Sequence, residues 1–82
     1  MKTELSSQAA KYLRKLNEPD KSRIIKAIHK LELDPPQGDI KTMHEQGGFR
    51  LRVGGHRVLF SIKDNNIVIV DIGPRGRIYK RR

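Results

Sequence analysis

The chain has 82 residues, enough for one domain over residues 1–82 with a single modest core. It contains no cysteine, which excludes a disulfide-stapled scaffold and a thiolate metal site. Eighteen lysines and arginines against nine acidic residues give a net charge of +9, which is typical of a domain that binds nucleic acid or phosphate. The sequence has neither a signal-peptide pattern nor a membrane-spanning apolar run, so we expect a cytoplasmic protein without membrane association.

The first half of the sequence predicts a helical hairpin. Lys2–Leu5 suits a short edge strand, and Ser6 or Ser7 is a good N-cap for the helix that follows. Pro19 suits the first position of a second helix, which is expected to run to about Leu33. The apolar residues at helical spacing are Ala9, Leu13 and Leu16 in the first helix, and Ile24, Ile28 and Leu31 in the second.

The second half predicts a small sheet. Residues 37–47 are irregular and polar, which indicates a loop. Two alternating stretches then flank Gly54-Gly55, a strong signal for a two-residue hairpin turn. A further turn leads into Ile67–Ile72, which is apolar on both faces and therefore predicts a central strand covered on both sides. Helices followed by strands predict an α+β fold, with the helical hairpin packed on one face of a small, mainly antiparallel sheet.

The hairpin register predicts one apolar and one basic face. A two-residue turn places Arg52 opposite Arg57, and residues directly opposite each other share a face. The apolar face then carries Phe49, Leu51, Val53, Val58, Phe60 and Ile62, whereas Arg50, Arg52 and Arg57 lie on the other. Because opposed arginines repel, we interpret this face as a site for an anion or an acidic partner. The alternative is that the three side chains simply extend into solvent.

No common catalytic motif is present. The sequence has no Ser–His–Asp signature, no cluster at metal-ligand spacing and no glycine-rich phosphate loop, so we expect neither a metal nor a cofactor. His29 is expected at the surface or boundary of the second helix, and His56 is expected to pack on the core side. His44 lies in the predicted loop, where it either assists proton transfer near neutral pH or has no chemical role.

Two segments carry a family resemblance that extends over nearly the whole chain. Residues 48–60 read GFRLRVGGHRVLF, and residues 73–79 read GPRGRIY. Together they resemble the RelE/ParE superfamily of type II toxins. RelE-like members bind in the ribosomal A site, cleave mRNA there and are inactive while bound to an antitoxin. The resemblance therefore implies a RelE-like fold and a metal-independent, ribosome-dependent endoribonuclease that inhibits translation. Its implied partners are the ribosome with its mRNA and a cognate antitoxin, in a heteromer.

The resemblance also implies a set of site residues. The family's catalytic positions correspond to Arg50, Arg52, Arg57, Arg75 and Tyr79. The basic C-terminal residues, which we expect to bind RNA, are Arg77, Lys80, Arg81 and Arg82. Some relatives have lysine where this chain has Arg50 and Arg52, and arginine keeps its proton, so neither can act as a base. Tyr79 would then be the base or would stack on a nucleotide.

Two other functions remain open at this point. A ParE-like relative on the same scaffold poisons DNA gyrase and cuts no RNA. A nonenzymatic RNA-binding module would bind RNA in the same salt-sensitive way without cleaving it. With only four aromatic residues in the chain, a stacking platform for single strands is poorly supported.

Overall fold

A computed structural model describes residues 2–43 and 47–74. The elements in chain order are β1 (Lys2–Leu5), α1 (Ser7–Lys15), α2 (Asp20–Leu31), β2 (Asp39–Thr42), β3 (Phe49–Val53), β4 (His56–Lys63) and β5 (Asn66–Pro74). Both helices lie on one face of a five-stranded sheet, so the predicted α+β arrangement is confirmed. Neither described helix has the length and apolar character needed to cross a membrane.

The helices begin and end close to the predicted positions. Ser6 is the N-cap of α1, and its hydroxyl accepts a hydrogen bond from the Ala9 amide at 3.1 Å. Pro19 is the N-cap of α2, and the first helical residue is Asp20, one position later than predicted. Helix α2 ends at Leu31, two residues before the predicted end at Leu33, whose side chain is exposed.

The sheet has the strand order β1-β5-β4-β3-β2. Strand β1 pairs in parallel with β5, and every other pair is antiparallel. The predicted hairpin register is confirmed, with Arg52 opposite Arg57 and Val53 opposite His56. The turn between β4 and β5 places Asp64 and Asn65 at positive φ, the conformation that a type I′ hairpin turn requires at both central positions.

Three sequence predictions about the sheet were wrong. Strand β2 lies within the predicted loop; it was missed because a polar edge strand has little apolar alternation, and only Ile40 of β2 packs against the core. Ile62 is exposed and not in the core, because it lines an open groove with Pro36 and Ile40. Strand β5 is an interior strand, as predicted, but its face opposite the helices is not covered along its whole length, since Val70 is exposed whereas Asp71 is buried.

The core lies between the helices and the sheet. The buried helical residues are Ala9, Ile24, Ile28 and Leu31. They meet six buried residues of the sheet, which are Leu51, Val58, Phe60, Ile67, Ile69 and Ile72. All six sheet residues point to the helical face, so the opposite face of the sheet carries the charged side chains, together with apolar ones such as Leu59 and Val70.

A β-bulge in β5 changes which residues face the helices. Leu59 pairs with Asp71 and Phe60 with Ile69, so Val70 is an extra residue between them. Without the bulge, strict alternation from Ile69 would turn Asp71 towards the helices. The bulge is held by the start of α1, where the Ser6 hydroxyl donates to the Val70 carbonyl at 2.6 Å.

His56 joins the beginning of β4 to both helices. The Tyr12 hydroxyl of α1 lies 3.0 Å from His56 Nδ1, and Asp20 Oδ2 of α2 lies 3.1 Å from His56 Nε2. A neutral imidazole with its proton on Nε2 satisfies both contacts, because it donates to Asp20 and accepts from Tyr12. The predicted core-side position is confirmed, and His56 fixes the strand that carries Arg57.

Substitution of Gly48 by alanine is expected to cost more stability than the same change at Gly47. Both glycines have a left-handed φ, +82° and +69° respectively, so both variants carry a backbone strain of about 1–2 kcal/mol. A Cβ at Gly48 would lie 2.8 Å from the Phe60 carbonyl oxygen, whereas a Cβ at Gly47 meets no atom within 4 Å. In urea unfolding, Gly48→Ala should lower the free energy of unfolding by roughly 1 kcal/mol more than Gly47→Ala. Equal losses would contradict this packing.

The hydrogen bond between Thr3 and Glu32 leads to a second prediction, which concerns the pKa of Glu32. The Thr3 hydroxyl donates to Glu32 Oε2 at 2.7 Å and, with a smaller effect of His29, holds the pKa of Glu32 below its ordinary value. Because the pKa is lower in the folded state, the contact stabilises the fold above the unfolded-state pKa, and this stability is lost as the pH falls through the folded-state pKa. Thr3→Val should raise the pKa of Glu32 in an NMR carboxyl titration.

The matched control for Thr3→Val is Ser22→Ala. Ser22 lowers the pKa of Glu18 through its hydroxyl and backbone amide, so the control removes a hydroxyl bond to a different carboxylate. It should leave the titration of Glu32 unchanged. A Glu32 titration that is the same in wild type and Thr3→Val would show that Thr3 does not hold this carboxylate.

Candidate nucleic-acid interface

The sheet face opposite the helices carries a cluster of cations, which we call the arginine face. Two rows of side chains cross it. In the first row, Lys41 of β2 is opposite Arg50 of β3, which is opposite Leu59 of β4, which is opposite Asp71 of β5. In the second row, the order is Asp39, Arg52, Arg57 and Gly73. The sheet thus brings together all three arginines that the sequence analysis placed on this face.

Arg52 is held by a carboxylate of its own chain. Its Nε lies 3.1 Å from Asp39 Oδ2, and about half of each side chain is exposed. Part of the repulsion between the opposed arginines is therefore relieved within the chain, by a carboxylate of strand β2. An exposed pair of this kind adds only about 0–1 kcal/mol, so a phosphate or another carboxylate can compete for the same guanidinium.

Arg57 differs from the other two arginines in its burial. Only 4 % of its surface is exposed, whereas Arg50 is half-buried and Arg52 is exposed. The alternative in which all three arginines extend into solvent is therefore wrong for Arg57. The residue opposite Arg57 is Gly73, which has no side chain to occupy the neighbouring surface. Because arginine keeps its charge when buried, Arg57 is a fixed positive charge within the sheet surface.

Asp71 is a buried carboxylate on the same face that the sequence analysis did not identify. It is 6 % exposed, and its Oδ1 accepts a hydrogen bond from the Ile72 amide at 2.9 Å. The available signal was a single acid inside the apolar run of β5. Its orientation could not be derived from that signal, because the bulge at Val70 determines the face to which Asp71 belongs. On the arginine face, its negative charge reduces the mutual repulsion of the arginines.

An open groove of about 370 Å³ adjoins the arginine face. Its lining includes Met43, Leu59, Ser61 and Val70, so it is mostly apolar. Leu59 also lies between Arg50 and Asp71 in the first row of the arginine face, which joins the groove to the cationic surface. Apolar and cationic surfaces side by side suit a ligand that has both a flat ring and a phosphate.

Several of the sequence-derived site residues lie outside the described residues. These are Arg75, Arg77, Tyr79, Lys80, Arg81, Arg82 and His44. Their positions relative to the arginine face therefore stay predictions. His29 is on the surface, as expected, and its Nδ1 lies 3.5 Å from Glu32 Oε1. Within residues 2–43 and 47–74, no group of three or more histidine and acidic side chains is arranged to hold a metal ion.

Comparison with protein families identifies the group to which the chain belongs. Residues 3–79 match the family model described as the ParE toxin of the type II toxin–antitoxin system parDE. The chain belongs to this toxin family. It is thus a toxin of a type II toxin–antitoxin system within the RelE/ParE superfamily, as the sequence resemblance implied. A search of curated proteins found no match.

Solved structures of RelE toxins have the same fold. An archaeal RelE–RelB complex from Pyrococcus horikoshii matches with 27 % identity and a TM-score of 0.76, covering 93 % of this chain and 96 % of that one. A RelB–RelE complex from Methanococcus jannaschii matches with 20 % identity and a TM-score of 0.76, covering 93 % and 94 %. A RelBE complex from Mycobacterium tuberculosis matches with 22 % identity and a TM-score of 0.74, covering 90 % and 96 %.

Removal of the Asp39 charge is expected to strengthen binding of nucleic acid to the arginine face. Asp39→Asn breaks the ion pair with Arg52 and removes one negative charge, so the affinity for a short oligonucleotide should rise about 3- to 10-fold at low salt, and the salt dependence should become steeper. Fluorescence anisotropy over a range of salt concentrations measures both effects.

Asp64→Asn is the matched control for the Asp39 variant. It makes the same change of charge in the turn between β4 and β5, where asparagine tolerates the left-handed φ of 52°. If the two variants strengthened binding equally, net charge alone would account for the result and the ion pair at Arg52 would have no part in it.

Proposed function

We propose that the protein is the toxin of a type II system that cleaves mRNA in the ribosomal A site and so inhibits translation. The observation that carries the proposal is the arginine face, where Arg50, Arg52 and the buried Arg57 lie on adjacent strands. The likeness to the Pyrococcus horikoshii RelE toxin supports the RNase branch of the superfamily. Because that toxin was solved with RelB, we also propose that a cognate antitoxin binds and inhibits this chain.

The proposed reaction is attack by the ribose 2′-hydroxyl on the adjacent phosphate. A base removes the hydroxyl proton, the new bond to phosphorus forms as the bond to the 5′-oxygen breaks, and the leaving oxygen takes up a proton. Fixed cations that face the developing charge on the phosphate lower the barrier, often by more than any other single effect. Arg57 and Arg52 suit this role because their guanidinium groups stay charged, and Arg57 is held within the sheet.

The other site residues have supporting parts in this proposal. Arg50 positions β3 and the phosphate next to it, and Arg75 supports the leaving group. Tyr79 acts as the base or stacks on a nucleotide, because the arginines cannot accept a proton. The basic residues Arg77, Lys80, Arg81 and Arg82 bind the RNA backbone. No metal or cofactor takes part.

Two features of the described surface suit mRNA presented by a ribosome. The groove beside Leu59 and Val70 offers an apolar contact for a base, next to cations for its phosphate. The Asp39 carboxylate occupies Arg52 in the free protein, so a phosphate must displace it before Arg52 can act. We expect cleavage of free RNA to be slow, because positioning by the ribosome supplies much of the rate.

Cleavage is expected at the A-site codon of a programmed ribosome, as read by primer extension. Arg52→Ala and Tyr79→Ala should each reduce the rate by roughly 100-fold or more, through loss of charge stabilisation in the first and of both the hydroxyl base and the stacking ring in the second. Arg57→Ala should abolish cleavage. Because this change also removes a buried side chain, Arg57→Lys, which keeps a long, charged side chain at the position, is the control for loss of the fold. The matched surface control is Lys15→Ala, an exposed cation at the end of α1 on the other side of the sheet. Full activity of Arg52→Ala or Tyr79→Ala would contradict the assigned roles.

The second candidate function is inhibition of DNA gyrase, which the description of the matching family model favours. A supercoiling assay with purified gyrase separates the two. Loss of supercoiling with an uncut message would replace our proposal. RNA binding with neither effect would indicate a nonenzymatic RNA-binding module.

A further inference from the structure

Strand β1 is an edge of the sheet with an open outer side. Its inner side pairs with β5, and no other strand of the described part of the chain pairs with its outer side. The Ser6 amide donates to the Ile69 carbonyl at 2.9 Å, so the backbone groups of Ser6 point to β5. Because these groups alternate along a strand, those of Glu4 also point to β5, whereas those of Thr3 and Leu5 point outward. Outward backbone groups of this kind are a template for another strand.

The side chains of this edge carry one charge of each sign. Lys2 and Glu4 are exposed on the face opposite the helices, and Thr3 between them bonds Glu32 on the helical side. Neither Lys2 nor Glu4 forms an ion pair with a residue of the described segments. Charges of a single sign on an edge strand repel a second strand. Opposite charges two residues apart instead match a copy of the same strand that runs in the opposite direction.

The backbone and the charges of β1 select the same register. Hydrogen bonds across the edge require two outward-pointing residues opposite each other. If Thr3 lies opposite Thr3 of a second copy, each Lys2 lies opposite a Glu4. A shift of two residues in either direction keeps outward groups paired but brings two Glu4 or two Lys2 side chains together. One antiparallel register therefore satisfies both requirements, with a two-fold axis at Thr3.

An apolar groove accompanies this edge on the helical side. It has a volume of about 240 Å³, and its lining includes Leu5, Leu13, Ile25 and Ile28. Leu5 is 40 % exposed and Ile25 is 37 % exposed, so part of this apolar surface is open to water. In the register centred on Thr3, Leu5 lies at the interface with the second copy. Its burial there would add to the hydrogen bonds and ion pairs of the edge.

The opposite edge of the sheet, β2, is less suited to the same pairing. It also carries an acid and a base two residues apart, Asp39 and Lys41. Asp39, however, already pairs with Arg52 at 3.1 Å, and the Ile40 amide donates to the Gly38 carbonyl at 3.0 Å. A second copy would have to break both contacts at β2. At β1, the two charges have no ion pair to lose within the described part of the chain.

We propose that two copies of the chain associate through β1, in an antiparallel pair centred on Thr3 that joins two five-stranded sheets into one. The interface is short and each copy has a net charge of +9, so we expect a weak dimer that forms at protein concentrations of about 0.1 mM or more. Both arginine faces stay uncovered, because β5 separates β1 from β4. The proposal goes beyond the proposed function and does not rest on it.

The experiment is sedimentation equilibrium of the full chain between about 0.01 and 1 mM, without ribosomes or RNA. The test variants are Lys2→Glu and Glu4→Lys, each of which leaves like charges opposite each other in the proposed register. The rescue variant is the double exchange, Lys2→Glu with Glu4→Lys, which restores opposite charges in reversed order. The matched control is Lys11→Glu, which makes the same charge change as Lys2→Glu at an exposed position of α1.

The wild type, the double exchange and the Lys11→Glu control should have dimer association constants within about threefold of one another, and each single exchange at β1 should lower the constant by about tenfold or more. An equimolar mixture of the two single variants should associate like wild type, because the acids of one face the bases of the other. Three results would each overturn the proposal: a wild type that is monomeric at about 1 mM, single variants that associate like wild type, or a double exchange that does not recover.

A second pair of variants tests the backbone hydrogen bonds of the interface. Thr3→Pro removes the outward N–H and none of the hydrogen bonds to β5, a change that edge strands tolerate. Thr3→Val keeps the N–H and, like Thr3→Pro, loses the hydroxyl bond to Glu32. Thr3→Pro should abolish dimerisation, whereas Thr3→Val should keep the association constant within about threefold of wild type. Equal association of the two variants, each with the circular dichroism of the wild type, would show that β1 is not the interface.

Discussion

The pairing register of β3 and β4 is the constraint on which the rest of the molecule depends. Side chains alternate between the two faces of a strand, so a shift of one residue would exchange the faces completely. With Leu51 opposite Val58 and Phe49 opposite Phe60, the apolar side chains meet the helices. Arg52 and Arg57 must then lie together on the other side. Burial of the core and assembly of the arginine face are two consequences of the same register.

Electrostatics explains how the sheet accommodates this concentration of charge. Two carboxylates share the arginine face with its cations. Asp39 pairs with the exposed Arg52, and Asp71 lies buried two strands away. Each carboxylate reduces the repulsion between the arginines, but only Asp39 pairs with an arginine that is exposed to solvent. The Arg52–Asp39 pair can exchange partners at low cost because it is exposed to water, whereas Arg57 is fixed by its surroundings. The arginine face therefore combines Arg57, whose position is fixed, with Arg52, which can bind a ligand only when that ligand displaces Asp39.

Much of the fold could be predicted from the sequence because local signals agree with tertiary packing. Ser6 capped α1, the paired glycines at 54 and 55 set the hairpin, and the apolar spacing in α2 identified its buried side. Strand β2 could not be predicted, because an edge strand is specified by its partner β3 and not by its own pattern. Asp71 was missed for a related reason. A bulge arises from pairing geometry, and neither Val70 nor Asp71 indicates one. Likewise, the partners of His56 come from two helices far away in sequence.

The central claim is that the proposed cleavage of mRNA depends on the position of positive charge on the arginine face and not on net charge. The most direct measurement is the single-turnover rate of mRNA cleavage in programmed ribosomes for Arg52→Glu and Lys15→Glu. Both replace an exposed cation by an acid, the first on the arginine face and the second on α1, across the sheet. Our account predicts a loss of roughly 100-fold or more for Arg52→Glu and a change within about twofold for Lys15→Glu. Equal losses in the two variants would contradict it.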